Sequence, residues 1–198
     1  MVVMDKRFDN RSKDSFKKDI AFGTAVEKYF WQGFLEQLDK YNVTYENARD
    51  NGVGNDGEYV ETGTNTSGAD YIIDIKNGEN WHRNVPLEVK WVPTAGKLTL
   101  KKGDLKAYQK EKAAILFIFN SVRDNVNLRK PKDYDLDAHI KRIEGKKRDI
   151  KWGVMFPNRV SKVLENATFE PIPYMGNKVG TIIKQSDFNV WFKTNKWL

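Results

Sequence analysis

The chain contains no cysteine, so neither a disulfide framework nor a thiolate metal site is open to it. Histidine is nearly as scarce: His82 and His139 are the only two, too few for a histidine-rich zinc centre. No apolar run approaches the roughly 18 residues needed to span a bilayer. The opening Met1-Val-Val-Met-Asp-Lys-Arg lacks the apolar stretch of a signal peptide. A cytoplasmic protein without a membrane partner is therefore expected. Walker loops, Gly-x-Ser-x-Gly, His-Glu-x-x-His and kinase signatures are missing as well, which removes those enzyme classes. What remains is a chain of 198 residues, 39% hydrophobic and 31% charged, most simply a single domain with a proper core.

Positive charge is in excess. Thirty-four Lys and Arg against 27 Asp and Glu give a net charge of +7. Such a balance favours a polyanionic partner, because phosphate contacts dominate nucleic-acid affinity. Basic residues cluster in Arg129-Lys130-Pro-Lys132, and from Lys141-Arg142 through Lys146-Lys147-Arg148 to Lys151. Nucleic-acid contact is assigned to Arg129, Lys130, Lys146, Lys147 and Arg148; the bland alternative is a solvated face. Residues 1–18 are also rich in lysine and arginine, but Asp5, Asp9, Asp14 and Asp19 interrupt them. They read as a mobile basic arm or a short helix.

The most informative segment is Val85-Pro86-Leu87-Glu88-Val89-Lys90-Trp91-Val92. On a strand, alternate side chains take opposite faces, so Glu88 and Lys90 project together, roughly 7 Å apart. A carboxylate and an ammonium set into a core-like strand are costly unless paired or bound to something. Upstream, Gly68-Ala69-Asp70-Tyr71-Ile72-Ile73-Asp74-Ile75 is a second apolar strand with a carboxylate near its start. The acid-x-Lys pattern also occurs at Asp74-Ile-Lys76, Asp104-Leu-Lys106, Glu144-Gly-Lys146 and Asp149-Ile-Lys151. Only Glu88-Val-Lys90 has apolar residues on both sides and an acid-bearing strand before it. Pro86 leaves a competing view, an edge strand with solvated charges.

The hydrophobic pattern gives the rest of the layout. A helix is expected over about 20–39, where Phe22, Val26, Phe30, Phe34 and Leu38 follow amphipathic spacing. Tyr41–Tyr45 reads as a strand and 46–67 as turns and loop, with a short strand at Glu58–Thr62. Strands are expected at 70–75 and about 84–92. Asn77-Gly78 between them signals a two-residue turn, which would set Asp70 opposite Val85. Bringing Asp70 to Glu88 needs a loop of about five residues or a bulge near Pro86, and the longer loop is the expectation. After a short basic link come a helix at 103–113, a buried strand at 114–119 and a helix near 134–143. A strand at 152–156, a helix at 158–164, a strand near 179–183 and a helical turn at 186–191 complete the order.

An Asp on one strand and Glu-x-Lys on the next resembles the active site of the PD-(D/E)xK nuclease superfamily. The resemblance covers about residues 20–120 and implies an α/β, restriction-endonuclease-like core, a mixed sheet flanked by helices. It makes 20–120 the catalytic part of one nuclease domain and 121–198 an elaboration for substrate recognition. The implied activity is Mg²⁺-dependent endonucleolytic hydrolysis of DNA, with Mn²⁺ as a substitute. Asp70, Glu88 and the carbonyl of Val89 would hold the metal, and Lys90 would orient or help deprotonate water. Glu27 matches the glutamate that many members carry on the first helix, and Gln109 a glutamine on the helix after Glu-x-Lys. Asp74 is the rival to Asp70. The family's proline before the acid is replaced by Ala69. One such site cuts one strand, so double-strand cleavage implies a homodimer. Alternatives are a non-catalytic nucleic-acid binder on the same fold, or an exonuclease or RNA-directed nuclease. His82 and Trp81, in the hairpin, carry weaker expectations of phosphate contact and base stacking.

Overall fold

The computed structural model describes residues 13–52, 68–92, 97–120, 135–144, 150–172, 178–184 and 189–190. The fold is mixed α/β. The first described element is the long helix α1 (Lys13–Lys40), so of the arm expected at 1–18, residues 13–18 are helical and 1–12 lie outside the described residues. Phe22, Val26, Phe30, Phe34 and Leu38 lie four apart, which puts them on one face, and all are buried. The helix stops at Asn42, whose φ of 53° is left-handed. Val43 N–H then bonds back to the Leu38 carbonyl and Asn42 N–H to that of Asp39. That turn occupies the place where a strand at 41–45 is expected, and the strand β1 (Tyr45–Asp50) follows it instead.

Strand β2 (Tyr71–Asn77) and strand β3 (Asn80–Val92) form an antiparallel hairpin. Its loop is two residues, Gly78-Glu79, and not the five expected. Gly78 has a φ of 58°, the left-handed conformation that glycine adopts most readily. Register is corrected farther along. Ile75 pairs with His82 but Ile73 with Val85, so Arg83 and Asn84 together oppose Asp74 in a β-bulge. The bulge brings Tyr71 opposite Leu87 and therefore Asp70 in line with Glu88.

The segment expected as a basic link contains strand β4 (Lys97–Lys101). Helix α2 (Lys102–Glu111) follows directly and ends on Lys112 at a φ of 53°. Ala113 N–H bonds back to the Tyr108 carbonyl, feeding the chain into β5 (Ala114–Asn120). Beyond it lie α3 (Leu136–Glu144), β6 (Ile150–Met155), α4 (Pro157–Asn166), β7 (Glu170–Pro171), β8 (Val179–Lys184) and β9 (Asn189–Val190). Residues 189–190 pair with β6, where a helical turn was expected.

The main sheet has the order β1-β2-β3-β5-β6-β9. Its β3–β5 pair is parallel and the others antiparallel. Because β3 is interior, Pro86 does not mark an edge. A smaller antiparallel sheet, β4-β8-β7, sends Leu100 and Ile183 into the core shared with Ile115 and Phe117. Strand β5 is apolar from Ala114 to Phe119 because both of its faces are covered. Ala114, Leu116 and Ile118 join the α1 side of the core, while Ile115 and Phe117 join Leu105, Tyr108, Met155 and Val160 on the other. On the α1 side, Trp31 stacks on Tyr71 with ring centroids 4.2 Å apart. Residues after 120 thus contribute to both sheets and to the core.

Candidate active site

Strand alternation sends Leu87 and Val89 into the α1 core and Glu88 and Lys90 to the opposite face. Glu88 is buried, whereas Asp70, Lys90 and Glu27 are half-buried. Lys90 Nζ is ion-paired with Glu88 Oε1. The same oxygen accepts a 2.6 Å hydrogen bond from Tyr108 Oη on α2. Glu88 Oε2 is buried with no hydrogen-bond donor.

Asp70 precedes β2 at a bend, and its neighbours fix it closely. Its Oδ2 accepts the Val89 N–H at 2.9 Å. Its own carbonyl accepts the Asn51 N–H at 2.9 Å, and the carbonyl of Ala69 accepts Asn51 Nδ2 at 3.0 Å. The Ala69 N–H donates to Glu111 Oε2, also at 3.0 Å, at the end of α2. Three segments therefore fix the Ala69-Asp70 stretch, and one of them, β3, bonds the carboxylate itself. Glu27 reaches the same cluster from α1 and accepts a hydrogen bond from the Trp91 backbone.

The electrostatics reflect crowding of three acids around one base. Burial raises Glu88 to about 7, opposed by the Lys90 charge and reinforced by Asp70. Burial likewise raises Asp70 to about 6, with Lys90 lowering it and Glu27 raising it. Glu27 rises to about 7 for the same primary reason. Burial by itself would lower the Lys90 ammonium, but Glu88, Glu27, Tyr108 and Asp70 more than offset it and hold the group well above its ordinary value. Lys90 is therefore held as a cation among the three carboxyls. Burial raises the Tyr108 phenol, so it stays a donor.

These donors suit a hard divalent ion. Mg²⁺ keeps several waters and needs only one or two protein carboxylates. Asp70 and Glu88 are such a pair, and the donor-less Glu88 Oε2 is an oxygen whose burial a cation would offset. Among the described residues, no three His, Asp or Glu side chains gather as a complete metal nest.

Other expected residues lie elsewhere. Asp74 is buried but fully engaged: Oδ1 accepts Asn84 N–H at 2.6 Å, and Oδ2 accepts Asn47 Nδ2 at 2.8 Å and Arg83 Nη1 at 2.9 Å. Those bonds, led by that of Asn84, lower it to about 2, and they leave little room for a metal. Gln109 is not brought to the cluster; its Nε2 donates to Ser161 Oγ at 3.2 Å and ties α2 to α4. Trp81 carries the Arg83 guanidinium 4.1 Å from its ring centroid. His82 pairs with Ile75 in the hairpin. Arg129, Lys130, Lys146, Lys147, Arg148 and the Glu58–Thr62 strand lie outside the described residues. Tyr108, Asn51 and Glu111 are not expected in the site from sequence. Tyr108 falls on the apolar stripe of its helix and reads as core; its position beside Gln109 is the available signal.

Fold and cluster together define a mixed α/β protein with a half-buried carboxylate–lysine cluster. No protein family and no curated protein matches the sequence. Among solved structures, the chain is similar to a nuclease from a fusselovirus, with 8% identity and a TM-score of 0.44 over 86% of this chain and 89% of that one. Among the described residues, no helix is long and apolar enough to cross a membrane.

Proposed function

We propose that this chain is a metal-dependent nuclease that hydrolyses phosphodiester bonds in DNA, acting in the cytoplasm. The observation that carries the proposal is the meeting of half-buried Asp70 and Lys90 with buried Glu88, whose Oε2 lacks any donor. A purely structural ion pair would not need two further carboxylates raising one another by repulsion. Asp70 and Glu88 would hold Mg²⁺, or Mn²⁺ in its place, with the Val89 carbonyl as a further oxygen. The ion supplies an activated water and neutralises charge on the scissile phosphate and leaving oxygen. Lys90, kept charged by its neighbours, orients the attacking water and stabilises the negative charge that develops on phosphate. Glu27, raised to about 7 by burial, would be the group able to take up a proton near neutral pH. Tyr108 holds Glu88 in one rotamer by its hydrogen bond. The net charge of +7 draws the polyanion in.

The test is cleavage of linear, supercoiled, single-stranded and branched DNA, with RNA alongside, in Mg²⁺, Mn²⁺ or chelator. Metal-dependent DNA scission lost in Glu88→Ala is expected. DNA binding without scission on every substrate and with both metals would instead assign a non-catalytic binder.

A further inference from the structure

We infer that Asp74 is a positioning residue: it pins a β-bulge in each strand flanking β2, and the two bulges together place Asp70 against Glu88. This rests on the nuclease reading for its functional consequence, though not for its geometry.

The register shows why a pin is needed. From the two-residue turn, Asn77 pairs with Asn80, Lys76 with Trp81 and Ile75 with His82. Continued unbroken, that register would set Asp70 opposite Leu87. Asp70 and Leu87 would then share a face, so Asp70 and Glu88 would lie on opposite faces of the sheet, and Tyr71, Ile73 and Ile75 could not enter the same core as Leu87 and Val89. One extra residue in β3 corrects this, and it enters opposite Asp74. On the other flank, Glu46 pairs with Asp74 but Arg49 with Ile72, so β1 also carries one extra residue beside Asp74. Without it, Asp50 and not Asn51 would reach Asp70. With it, Asn51 makes the two bonds that clamp the Ala69-Asp70 backbone.

Both bulges are built the same way. Asn47 in β1 and Asn84 in β3 have φ of 51°, a conformation asparagine tolerates better than most residues. Asp74 accepts from both, through Asn47 Nδ2 and Asn84 N–H, and from Arg83 in the second bulge. Arg49 ties the pair from the edge strand, with Nη1 on the Asn47 carbonyl and Nη2 on Asn84 Oδ1. Arg83 also bridges to Glu46 at 2.9 Å. A one-residue slip flips a strand's side chains to the other face. The network therefore decides whether Asp70 and Glu88 share a face.

The absence of cysteine makes the register directly measurable. Directly paired residues of an antiparallel ladder have Cα atoms at disulfide distance. Ile72 pairs with Pro86 across the bulge, whereas a slipped hairpin would pair Ile72 with Val85. The full-length chain carrying I72C/P86C, and separately I72C/V85C, is oxidised mildly with and without Asp74→Ala. Expected is rapid closure of the first pair with Asp74 present. Asp74→Ala should slow that closure at least tenfold, and cleavage should fall at least a hundredfold in the cysteine-free variant. Asn84→Gly, which keeps the left-handed bulge, should retain most of the cross-linking, while Asn84→Val should lose it; this pair decides the matter if Asp74→Ala does not fold. Unchanged cross-linking in folded Asp74→Ala, or in Asn84→Val, overturns the inference. If the wild type cuts no DNA yet the cross-links behave as expected, the register device stands and the nuclease reading falls.

Discussion

Replacing Tyr108 with Phe removes one hydroxyl and nothing else from the site. That hydroxyl donates a 2.6 Å bond to Glu88 Oε1 inside the protein. A hydrogen bond to a charged group is worth about 1.5–3 kcal/mol. Lys90 remains on the same oxygen and recovers part of that. The remaining loss, near the 1.36 kcal/mol that equals one pKa unit, moves Glu88 up by about one unit. Glu88 already sits at about 7, so roughly half of it is ionised at neutral pH in the metal-free protein. A further unit leaves about a tenth ionised, which weakens apparent metal affinity about fivefold at pH 7. At pH 9 both proteins are ionised and the difference closes. Calorimetric titration with Mn²⁺ at both pH values measures this, and cleavage at limiting metal should follow it. An affinity gap of equal size at pH 7 and pH 9, or no gap at all, refutes the assignment of Tyr108 as the donor that keeps Glu88 ionised.

Glu27→Gln should stabilise the metal-free protein at pH 8, by a few kcal/mol at most, while cutting cleavage at least tenfold. The sign follows from linkage: a carboxyl raised on folding binds its proton more tightly when native, so the wild type loses stability as pH rises from about 4 to about 7, and Gln removes that loss. Thermal melts at pH 4 and pH 8 check it, with the two proteins expected to converge at pH 4. Gly180→Ala should cost about 1–3 kcal/mol by denaturant titration, because a Cβ there would lie 2.8 Å from both Ile172 Cδ1 and the Leu100 carbonyl in the smaller sheet. Neutralising Lys146, Lys147 and Arg148 together should flatten the salt dependence of DNA binding by about one unit of slope for each phosphate they no longer neutralise; an unchanged slope assigns them to solvated surface.

The parts of the fold that were legible in the sequence are those with a strong period. Phe22 to Leu38 at four-residue spacing marks α1, and the unbroken Ala114–Phe119 run marks a strand covered on both faces. Alternation alone places Glu88 and Lys90 on one face, and it needs no tertiary information. Choosing between Asp70 and Asp74 does need it. The two share a face on an ideal strand, and only the bulges show that Asp74 is engaged by Asn47, Arg83 and Asn84. The bulges themselves are hidden because asparagine, not glycine, takes the left-handed positions. The real turn is displaced by one residue from the Asn77-Gly78 signal, and the register it sets is shifted again by the bulge at Arg83-Asn84, which no dipeptide preference reveals. In β4, Leu98 and Leu100 alternate with lysines and threonine, yet five residues are too few to stand out from a basic linker. Gln109 is drawn toward the site by its neighbour Tyr108, but successive helical residues point about 100° apart, and only one of them faces Glu88.

The most direct test of the central claim is a paired measurement on Lys90→Ala and Glu88→Ala, each shown to be folded by thermal melt. DNA affinity and single-turnover cleavage in Mg²⁺ are measured on the same samples. Lys90→Ala should lose cleavage by at least a hundredfold while holding DNA nearly as well as the wild type, since it removes a transition-state interaction and leaves both carboxylates in place. Glu88→Ala should lose cleavage through loss of the metal and bind DNA as tightly or more so, with one less negative charge beside phosphate. Undiminished cleavage in both variants would contradict the assignment of this cluster as the place where the phosphodiester bond is broken.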